Sequence, residues 1–497
     1  MFSKVLVANR GEIACRVIRC LKEMGISSVA VYSEADSRAL HVRLADVAAL
    51  LGPAEPASSY LDAEKIIAAA RDTGAEAIHP GYGFLSENAG FAEACQKAGL
   101  TFIGPPASAI RALGRKTAAR RLMMQAGVPV IPGMERPSSD LGLLTREAAR
   151  IGYPVLVKAT AGGGGKGMRV VATESDLAEA AKTAEAEAKA AFNDGGIYLE
   201  KYLDRPRHVE IQVLCDRHGN AVHLLERECS IQRRHQKIVE ESPSLALTPE
   251  LREEMGRAAV AAARSAGYEN AGTVEFLVDR NGGFYFLEVN TRLQVEHPVT
   301  EMVTGVDLVR RQVEIAAGLP LNLRQEDVRG RGHAIECRIC GEDPENSFYP
   351  CPGTVLFVHE PTGPFIRNDS GIFSGATVPV EYDPLLGKLI VWAEDRAGAI
   401  ARMRRALSDY AVLGITTIIP FLSDVLASEP FARGELHTGF IEEHFSGWKP
   451  APPGTDVTAL AAYAADELFG GPVKPSPGAG YSEAFASPWR TLGGFRL

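Results

Sequence analysis

The 497-residue sequence has no uninterrupted apolar run that approaches the roughly 18 residues of a membrane-spanning helix. Its eight cysteines are scattered, and the single Cys337-Arg338-Ile339-Cys340 stretch has neither a second pair nor a histidine at zinc-site spacing. We interpret these two as cysteines of a strand, and the whole set as suited to a reducing cytosol. The net charge of −9 argues against a generic nucleic-acid binder. We therefore expect neither a membrane nor a nucleic-acid partner.

Two common nucleotide-binding fingerprints are also missing. A strand at 4–8, a helix that ends at Gly25 and a strand at 29–32 predict a doubly wound parallel sheet, yet no G-x-G-x-x-G follows the first strand. A tetraglycine run does precede Lys166, but Gly167 follows it where a P-loop has serine or threonine ahead of a helix. Any nucleotide site must therefore be of another kind.

The tetraglycine run instead lies between two predicted strands, at 154–159 and 169–172. Glycines allow successive backbone N–H groups to approach phosphate oxygens, and Lys158 stands two residues before the loop. This pattern predicts a mobile cover over a phosphate group. A flexible hairpin without a ligand remains the alternative.

The stretch from Phe284 to Pro298 carries the densest set of polar side chains. It begins as a strand, in which Glu288, Asn290 and Arg292 share one face. An upstream strand carries Glu275, and a two-residue Asn281-Gly282 turn would place Glu275 opposite Glu288. Like charges in that position destabilise a sheet, whereas Mg²⁺ or Mn²⁺ between them would reverse the effect. A surface hairpin, with Arg292 or a nearby lysine pairing a carboxylate, remains the alternative.

A basic run follows Cys229 and ends at Lys237. Such a run is usually a solvated face, but this chain is acidic overall. Concentrated donors beside acidic metal ligands suggest a bound polyanion. A further candidate ligand loop, His79 to Phe84, follows a predicted strand at its carboxyl end, where open α/β sheets place ligands. A plain turn is the alternative there.

Taken in order, these motifs resemble the biotin carboxylase component of biotin-dependent acyl-CoA carboxylases over residues 2–446. The matching stretches are Lys158 with the tetraglycine loop, Glu200-Lys201, His208-Val-Glu-Ile-Gln, Gln232-Arg-Arg-His-Gln-Lys237, Glu288 to His297, and the strand with Arg338. Their order and spacing together are highly specific. The Arg-Pro-Arg-His and Ala-Gly-Gly-Gly-Gly-Lys versions look most like subunits of methylcrotonyl-, propionyl- or geranyl-CoA carboxylases.

The resemblance implies an α/β protein of the ATP-grasp fold. An N-terminal doubly wound α/β domain would occupy 1–113, and an ATP-grasp domain 114–330, with a small mobile lid at about 131–203. A C-terminal mixed α+β domain would occupy 331–446. A Pro- and Gly-rich extension, or a linker to a further domain, would occupy 447–497.

The resemblance also implies the chemistry. ATP phosphorylates bicarbonate to carboxyphosphate, and the CO₂ that this releases is captured by N1′ of biotin. Mg²⁺ or Mn²⁺, two ions in all, would bind Glu275, Glu288 and Asn290. The residues implied to contact ATP are Lys116, Lys158, Gly162, Gly163, Gly164, Gly165, Gly167, Met168, Glu200, Lys201, Tyr202, Leu203, His208, Gln232, His235, Glu275, Leu277 and Glu288.

Bicarbonate would be held by Lys237 and Arg292, with Gln294 and the Val295 backbone N–H completing the anion site. Glu296 is the expected general base, a role compatible with a salt bridge to Arg292. Arg338 would stabilise negative charge on the biotin oxygen. Tyr82, by family position, would lie against biotin.

The biotin-acceptor motif of Met-Lys-Met type is absent from the sequence. We therefore expect biotin to be presented in trans, on a carrier domain or protein, and a carboxyltransferase subunit to be a further partner. A homo-oligomer or a larger carboxylase complex is expected, in the cytoplasm or, in a eukaryote, the mitochondrial matrix. The segment 487–497 looks like the start of a further domain. Another ATP-grasp ligase, such as a carbamoyl-phosphate or purine-pathway enzyme, or a silent nucleotide-binding module, is the competing interpretation.

Overall fold

The protein is described by a computed structural model that covers residues 1–134, 136–159, 168–192, 197–234 and 236–450. Residues Met1–Lys449 form one compact unit. Within the described ranges, no helix combines the length and apolarity needed to cross a membrane. The eight cysteines are all free thiols, and Cys337 and Cys340 both lie on one strand, as the sequence predicts.

The first part of the chain is a five-stranded parallel sheet with the strand order β3-β2-β1-β4-β5. Its apolar strand residues pack against helices, with Ile13, Val17 and Leu21 of the first helix fully turned inward. The strands are β1 (Lys4–Val7), β2 (Ser27–Ser33), β3 (Val47–Gly52), β4 (Ala77–His79) and β5 (Thr101–Phe102). The helices are α1 (Gly11–Glu23), α2 (Leu40–Leu44), α3 (Ala63–Thr73), α4 (Ala89–Lys97) and α5 (Ala107–Gly114). This confirms the predicted doubly wound start.

The next part contains a small three-stranded antiparallel sheet with the order β7-β6-β8. Two helices cover it, and the buried side chains between them form a separate small core. The elements are α6 (Lys116–Gln125), α7 (Leu141–Ile151), β6 (Val155–Ala159), β7 (Met168–Val171), α8 (Glu174–Phe192) and β8 (Ile197–Lys201). The Gly-rich loop between β6 and β7, at 160–167, lies outside the described residues.

The centre of the molecule is an eight-stranded sheet with the order β13-β12-β9-β10-β11-β14-β21-β19, whose strand pairs are antiparallel. The elements up to residue 316 are β9 (Arg207–Cys215), β10 (Ala221–Arg233), β11 (Gln236–Ser242), α9 (Pro249–Ser265), β12 (Asn270–Val278), β13 (Phe284–Asn290), α10 (His297–Thr304) and α11 (Leu308–Ala316). Strands from both sides of residue 330 belong to this sheet, so hydrogen bonding is continuous across the boundary predicted there.

The remaining elements complete that sheet and add short strands and helices. The strands are β14 (His333–Cys340), β15 (Glu342–Asp343), β16 (Tyr349–Pro350), β17 (Gly353–Thr354), β18 (Phe357–His359), β19 (Ile366–Ser370), β20 (Thr377–Val378), β21 (Leu385–Ala393) and β22 (Ala411–Leu413). The helices are α12 (Arg396–Asp409), α13 (Ile419–Ala427), α14 (Glu429–Arg433) and α15 (Phe440–Phe445).

The hairpin of β12 and β13 pairs Glu275 with Glu288, as the sequence predicts, but by a different route. The predicted two-residue turn is wrong. The loop runs over 279–283, where the Asp279 carboxylate accepts the backbone N–H of Asn281 and Gly283. A β-bulge at 287 then shifts the register by one residue. Without the bulge, Phe284 and Phe286 would point to the same face as Glu288.

One face of the eight-stranded sheet is apolar and the other is charged. Val274, Phe276, Phe284 and Phe286 pack into the core beneath α9. On the charged face, the fully buried Arg227 donates to Glu210 at 2.5 Å, and to Gln212, Thr273 and Thr300 at 2.8–3.0 Å. A buried guanidinium is tolerated only when acceptors satisfy it in this way.

We predict that Arg227→Ala lowers the free energy of unfolding by about 3–5 kcal/mol, because Glu210 loses one of its cationic partners inside the protein. Urea unfolding followed by tryptophan fluorescence measures the change. Arg257→Ala is the matched control, since Arg257 forms an exposed pair with Glu253 at 3.7 Å. That variant should stay within about 0.5 kcal/mol of the wild type. Equal effects in the two variants would contradict the account of Arg227.

Candidate active site

The ammonium group of Lys237 is the centre of the charged face. It lies on β11 and donates to the carboxylates of Glu210 at 2.6 Å, Glu275 at 2.8 Å and Glu296 at 2.6 Å. The Gln294 amide oxygen is 3.4 Å away. Three strands and the segment before α10 therefore converge on one cation. The Glu210 and Glu275 carboxylates face each other across β9 and β12, and the ammonium between them offsets their repulsion.

The charge balance fixes the ionisation of this group of residues. Burial alone would lower the pKa of Lys237, but the Glu210, Glu275 and Glu296 carboxylates raise it well above its ordinary value. Burial would likewise raise the pKa of Glu296, but Lys237, Arg338 and Arg227 hold it below its ordinary value. The pKa of Glu275 is also lowered, because Lys237 and His208 outweigh its burial. Glu296 is therefore ionised at neutral pH, as a general base must be.

Glu275 and its neighbours form the set of oxygen donors that could hold a metal ion. Asn290 and Gln294 donate to one Glu275 oxygen at 2.8 and 3.1 Å, and the His208 ring nitrogen lies 2.9 Å from the other. Glu288 is the cross-strand neighbour of Glu275. Two carboxylates and an amide oxygen on adjacent strands are hard donors, and this donor set fits Mg²⁺.

Glu296 and Arg338 are joined directly. Arg338 on β14 places a guanidinium nitrogen 3.0 Å from the second Glu296 oxygen and 2.6 Å from Glu240. The pKa of Arg338 is raised, because Glu240 and Glu296 outweigh the effect of its burial. Burial also raises the pKa of Glu240, to about 7, against the opposing charge of Arg338. The expected general base and the residue expected to contact biotin are thus held in one ion-pair network.

Arg292 has a different partner from the one considered in the sequence. Its guanidinium pairs with Glu87 at 3.0 Å and donates to the Asn290 amide oxygen at 3.0 Å. Glu87 also accepts the backbone N–H of Thr291 at 3.0 Å. Glu296 pairs with Lys237 and Arg338, and among the described residues it forms no salt bridge with Arg292. Arg292 is instead held by a carboxylate that follows β4, in the N-terminal part of the chain.

Around the expected nucleotide contacts, Lys158 on β6 forms an ion pair with Glu200 on β8. Gln232 contacts the His208 ring at 2.6 Å. Lys201 donates to the backbone oxygens of Gly152 and Tyr153 at 2.8 and 3.0 Å, so its charge faces the loop between α7 and β6. Of the remaining predicted contacts, Tyr202, Leu203 and Leu277 are partly exposed. The side chains of Lys116 and Met168, the residue His235, and Gly162, Gly163, Gly164, Gly165 and Gly167 lie outside what the structure describes.

Tyr82 follows β4, on the loop that the sequence singles out. Its hydroxyl donates to the carboxylate of Glu12, at the start of α1. Val295, expected to offer its N–H to bicarbonate, has its carbonyl oxygen bound by the Lys388 ammonium at 2.8 Å. The C-terminal part of the chain therefore reaches the residue before Glu296, and the N-terminal part reaches Arg292 through Glu87.

The sequence interpretation missed several residues of this site, chiefly Glu210, Arg227, Glu87 and Lys388. One signal was available for the first, because His208, Glu210 and Gln212 alternate along a predicted strand and so share a face. The other residues carry no local signal. Glu87 and Lys388 meet the site from segments more than 90 residues away from their partners Arg292 and Val295.

Buried carboxylates and fixed cations on an eight-stranded antiparallel sheet, together with a small three-stranded sheet, are the arrangement of an ATP-dependent ligase of the ATP-grasp class. Family models match nearly all of the described chain. They are the biotin carboxylase N-terminal domain at residues 1–110, the carbamoyl-phosphate synthase L chain ATP-binding domain at 115–324, and the biotin carboxylase C-terminal domain at 336–443. The chain belongs to the biotin carboxylase family.

Similar proteins agree with that assignment. A subunit of the pyruvate carboxylase of Methanothermobacter thermautotrophicus is 55% identical over 90% of this chain and 91% of its own length. A biotin carboxylase of Haemophilus influenzae is 54% identical over 89% of this chain and 99% of its own. The alpha subunit of a methylcrotonoyl-CoA carboxylase of Dictyostelium discoideum is 49% identical over 100% of this chain and 70% of its own.

Solved structures match equally well. The biotin carboxylase domain of a Hydrogenobacter thermophilus 2-oxoglutarate carboxylase, solved with MgADP, ADP and bicarbonate, superposes with a TM-score of 0.83 at 50% identity, covering 91% of this chain and 100% of that one. A Campylobacter jejuni biotin carboxylase, solved with a β,γ-ATP compound, gives 0.83 at 47% identity, covering 89% and 99%.

The predicted function is thereby confirmed. The chain is a biotin carboxylase, an ATP-dependent ligase of the biotin-dependent carboxylases, and the predicted cofactors ATP, Mg²⁺ and biotin are those of this family. The flanking domain models also set it apart from the carbamoyl-phosphate enzymes considered as an alternative.

We predict that Lys237→Met destabilises the protein increasingly as pH rises from 5 to 8. In the wild type, the lowered pKa of Glu275 and Glu296 means that their stabilisation is complete above about pH 4.5 and is lost only as pH falls further. Without the lysine, buried carboxylates repel each other and their pKa rises, so stability is lost as pH increases. Urea midpoints measured across this range in EDTA test the sign.

Lys189→Met is the control for that prediction, because Lys189 pairs with Glu185 on the exposed face of α8. Its difference from the wild type should not change with pH. A Lys237→Met difference that is constant with pH, or largest at pH 5, would contradict the role of Lys237 as the cation that balances the buried carboxylates.

Proposed function

We propose that the residues around Lys237 are the place where bicarbonate is activated. The observation that carries this proposal is the contact of one ionised carboxylate, Glu296, with two cations, Lys237 at 2.6 Å and Arg338 at 3.0 Å. A small anion that enters here takes the place of the Glu296 carboxylate as the partner of these two cations. Glu296, once displaced, is positioned to accept the proton of bicarbonate.

Arg292 and Gln294 complete the proposed anion site. Arg292 is oriented by Glu87 and Asn290, so its remaining N–H groups can meet an oxygen of the anion with little loss of side-chain freedom. Gln294 is held by its contacts to Glu275 and Lys237. Both residues thereby link the bicarbonate site to the metal ligands, so that the nucleophile and the phosphate to be transferred lie on the same face of the sheet.

Glu275, Glu288 and Asn290 are the proposed ligands of Mg²⁺. When bound, the ion neutralises phosphate oxygens and the charge that develops during phosphoryl transfer. The chain's own residues supply the rest. Lys158 offers a cation to the phosphates. His208, which Gln232 contacts, holds the Glu275 oxygen that Asn290 and Gln294 leave free. Lys158 must exchange its pairing with Glu200 to do so.

Arg338 is proposed to stabilise negative charge on the biotin ureido oxygen, in the manner of an oxyanion hole. Its second carboxylate partner, Glu240, fixes the guanidinium while the contact to Glu296 is given up. Tyr82, on the loop after β4, is the proposed wall against biotin. The segment at about 131–203 is the proposed lid, whose closure would keep water from a hydrolysable intermediate.

The biotin itself is proposed to arrive on a carrier domain outside these 497 residues, in a complex that also contains a carboxyltransferase. The alignment of a methylcrotonoyl-CoA carboxylase relative with the whole chain supports an acyl-CoA carboxylase, and the reduced cysteines support a cytoplasmic location. The pyruvate carboxylase relative defines the second candidate. Reconstitution with acyl-CoA- and pyruvate-specific carboxyltransferases distinguishes the two.

We predict that Glu288→Lys abolishes Mg²⁺-dependent ATP cleavage in the presence of bicarbonate. The new ammonium would face Glu275 and occupy the position of the cation, but it cannot bridge phosphates. Phosphate release assays over a range of Mg²⁺ concentrations measure the loss. Glu269→Lys, in the turn ahead of β12, is the matched charge control and should cleave ATP normally. Full activity of Glu288→Lys would exclude Glu288 from the metal site.

We predict that Glu296→Ala loses bicarbonate-dependent ATP cleavage while ATP still binds, because the base is removed and the metal ligands remain.

Arg338→Gln should impair biotin carboxylation more than ATP cleavage, by roughly 10²-fold for the loss of an oxyanion contact. Phosphate release and ¹⁴C incorporation into biotin, measured in parallel, separate the two activities. Equal losses of both in Arg338→Gln would argue against a biotin-specific role.

We predict that the 497-residue chain is not itself biotinylated. No lysine in it has the Met-Lys-Met context. Free biotin should react poorly and a carrier domain well, because tethering raises the effective concentration to the order of millimolar. Coexpression with an active biotin ligase, followed by mass spectrometry, checks the first point. Stoichiometric biotinylation, or a carrier that reacts no better than free biotin, would overturn the proposal.

A further inference from the structure

Lys388 is a fully buried lysine that none of the roles above requires. It lies in the middle of β21, where its backbone pairs with Arg338 of β14 on one side and with Asp369 of β19 on the other. A buried ammonium group is costly unless carboxylates and hydrogen-bond acceptors surround it. The groups that satisfy Lys388 therefore decide where its charge is held.

The Lys388 ammonium has one hydrogen-bond acceptor at close range and two carboxylates further out. It donates to the Val295 carbonyl oxygen at 2.8 Å and lies 3.3 Å from a Glu12 oxygen. The Asp369 carboxylate is 3.9 Å away and already accepts hydrogen bonds from Nε and one Nη of Arg367. Lys388 thus connects the segment before α10 to the first turn of α1.

On the bicarbonate side, Lys388 and its cross-strand neighbour Arg338 hold two consecutive residues. Lys388 binds the carbonyl of Val295, and Arg338 binds the carboxylate of Glu296. The preceding carbonyl, of Gln294, is held by the His297 ring at 2.8 Å. A shift of the Lys388 ammonium therefore moves the backbone that carries the proposed base and the proposed anion donor.

On the biotin side, Lys388 reaches Tyr82 through Glu12. One Glu12 oxygen accepts the Tyr82 hydroxyl, and the other faces the Lys388 ammonium. The ammonium also lies 5.8 Å from the centre of the Tyr82 ring. Any displacement of Tyr82 by a ligand changes the position of the carboxylate that balances Lys388.

We propose that Lys388 is a positioning residue that couples the Tyr82 wall to the Val295–Glu296 segment, so that arrival of biotin accelerates bicarbonate-dependent ATP cleavage. The proposal rests on the function proposed above. Its physical basis is a single buried cation that contacts elements of both half-sites and so gives energetic coupling between the two sites a direct physical connection. Lys388 itself touches no reacting atom.

The test is the ratio of ATP cleavage rates with and without saturating free biotin, at saturating bicarbonate and MgATP. Lys388→Met keeps the length of the side chain but loses its charge. We expect this ratio to fall at least about tenfold, since misplacement of a catalytic group by about 1 Å can cost on the order of 10²-fold. The KM for bicarbonate should rise as well, because Val295 loses its tether, while the Kd for MgATP should stay at the wild-type value.

Two further variants separate coupling from loss of structure. Lys4→Met removes another lysine, whose ammonium donates to the Thr73 carbonyl oxygen at 2.7 Å. Lys4 begins β1 and His79 ends the neighbouring strand β4, so the two residues lie at opposite ends of the parallel strands. Its ratio should equal that of the wild type. Glu12→Gln keeps an acceptor for Tyr82 but removes the charge facing Lys388. Glu12→Gln should lower the ratio and leave the KM for bicarbonate unchanged. If Lys388→Met does not fold, the ratio of Glu12→Gln tests the proposed coupling.

A double-mutant cycle with Tyr82→Phe checks the route of the coupling. Tyr82→Phe should lower the ratio in the wild type and have little further effect in Lys388→Met. A wild-type chain without biotin-stimulated ATP cleavage would contradict the proposed function itself. Wild-type stimulation that persists in Lys388→Met and Glu12→Gln, or effects of Tyr82 and Lys388 that simply add, would overturn the proposal for Lys388 alone.

Discussion

The contact of one ammonium group with three carboxylates is the interaction on which the proposed reaction site depends. Lys237 lies within 2.8 Å of three buried carboxylates that would otherwise repel one another. Such a group is stable only as a complete set, because removal of one partner leaves an uncompensated charge in a low-dielectric interior. The same balance keeps Glu296 ionised, which is the state that can accept a proton from bicarbonate. Stability and chemistry here therefore depend on the same contacts.

The site is assembled from all three predicted domains. Glu87 from the N-terminal part orients Arg292, β11 and β12 of the central part supply Lys237 and Glu275, and Arg338 comes from the strand after residue 330. The eight-stranded sheet makes this possible, because its hydrogen bonds run continuously from β13 to β19. A sheet that crosses the predicted boundary holds Lys237, Glu275 and Arg338 at fixed separations, which independent domains would not.

Local sequence patterns predicted the parallel sheet, the hairpin that pairs Glu275 with Glu288, and the strand that carries Arg338. These depend on alternation, turn residues and apolar runs, which act between near neighbours in the chain. The hairpin shows the limit of such reasoning. The pairing of Glu275 with Glu288 was right although the turn was wrong, because a longer loop and the bulge at 287 compensate each other. The predicted residue roles and domain boundaries stay predictions.

The sequence by itself determined the class of chemistry, since the order of its motifs matches one family. Only the tertiary structure decided the partners. Arg292 pairs with Glu87, and Lys388 reaches Val295 and Glu12, across separations of 205, 93 and 376 residues. No local preference specifies such a pair, because each buried charge is stable only beside a counter-charge that the global packing brings to it.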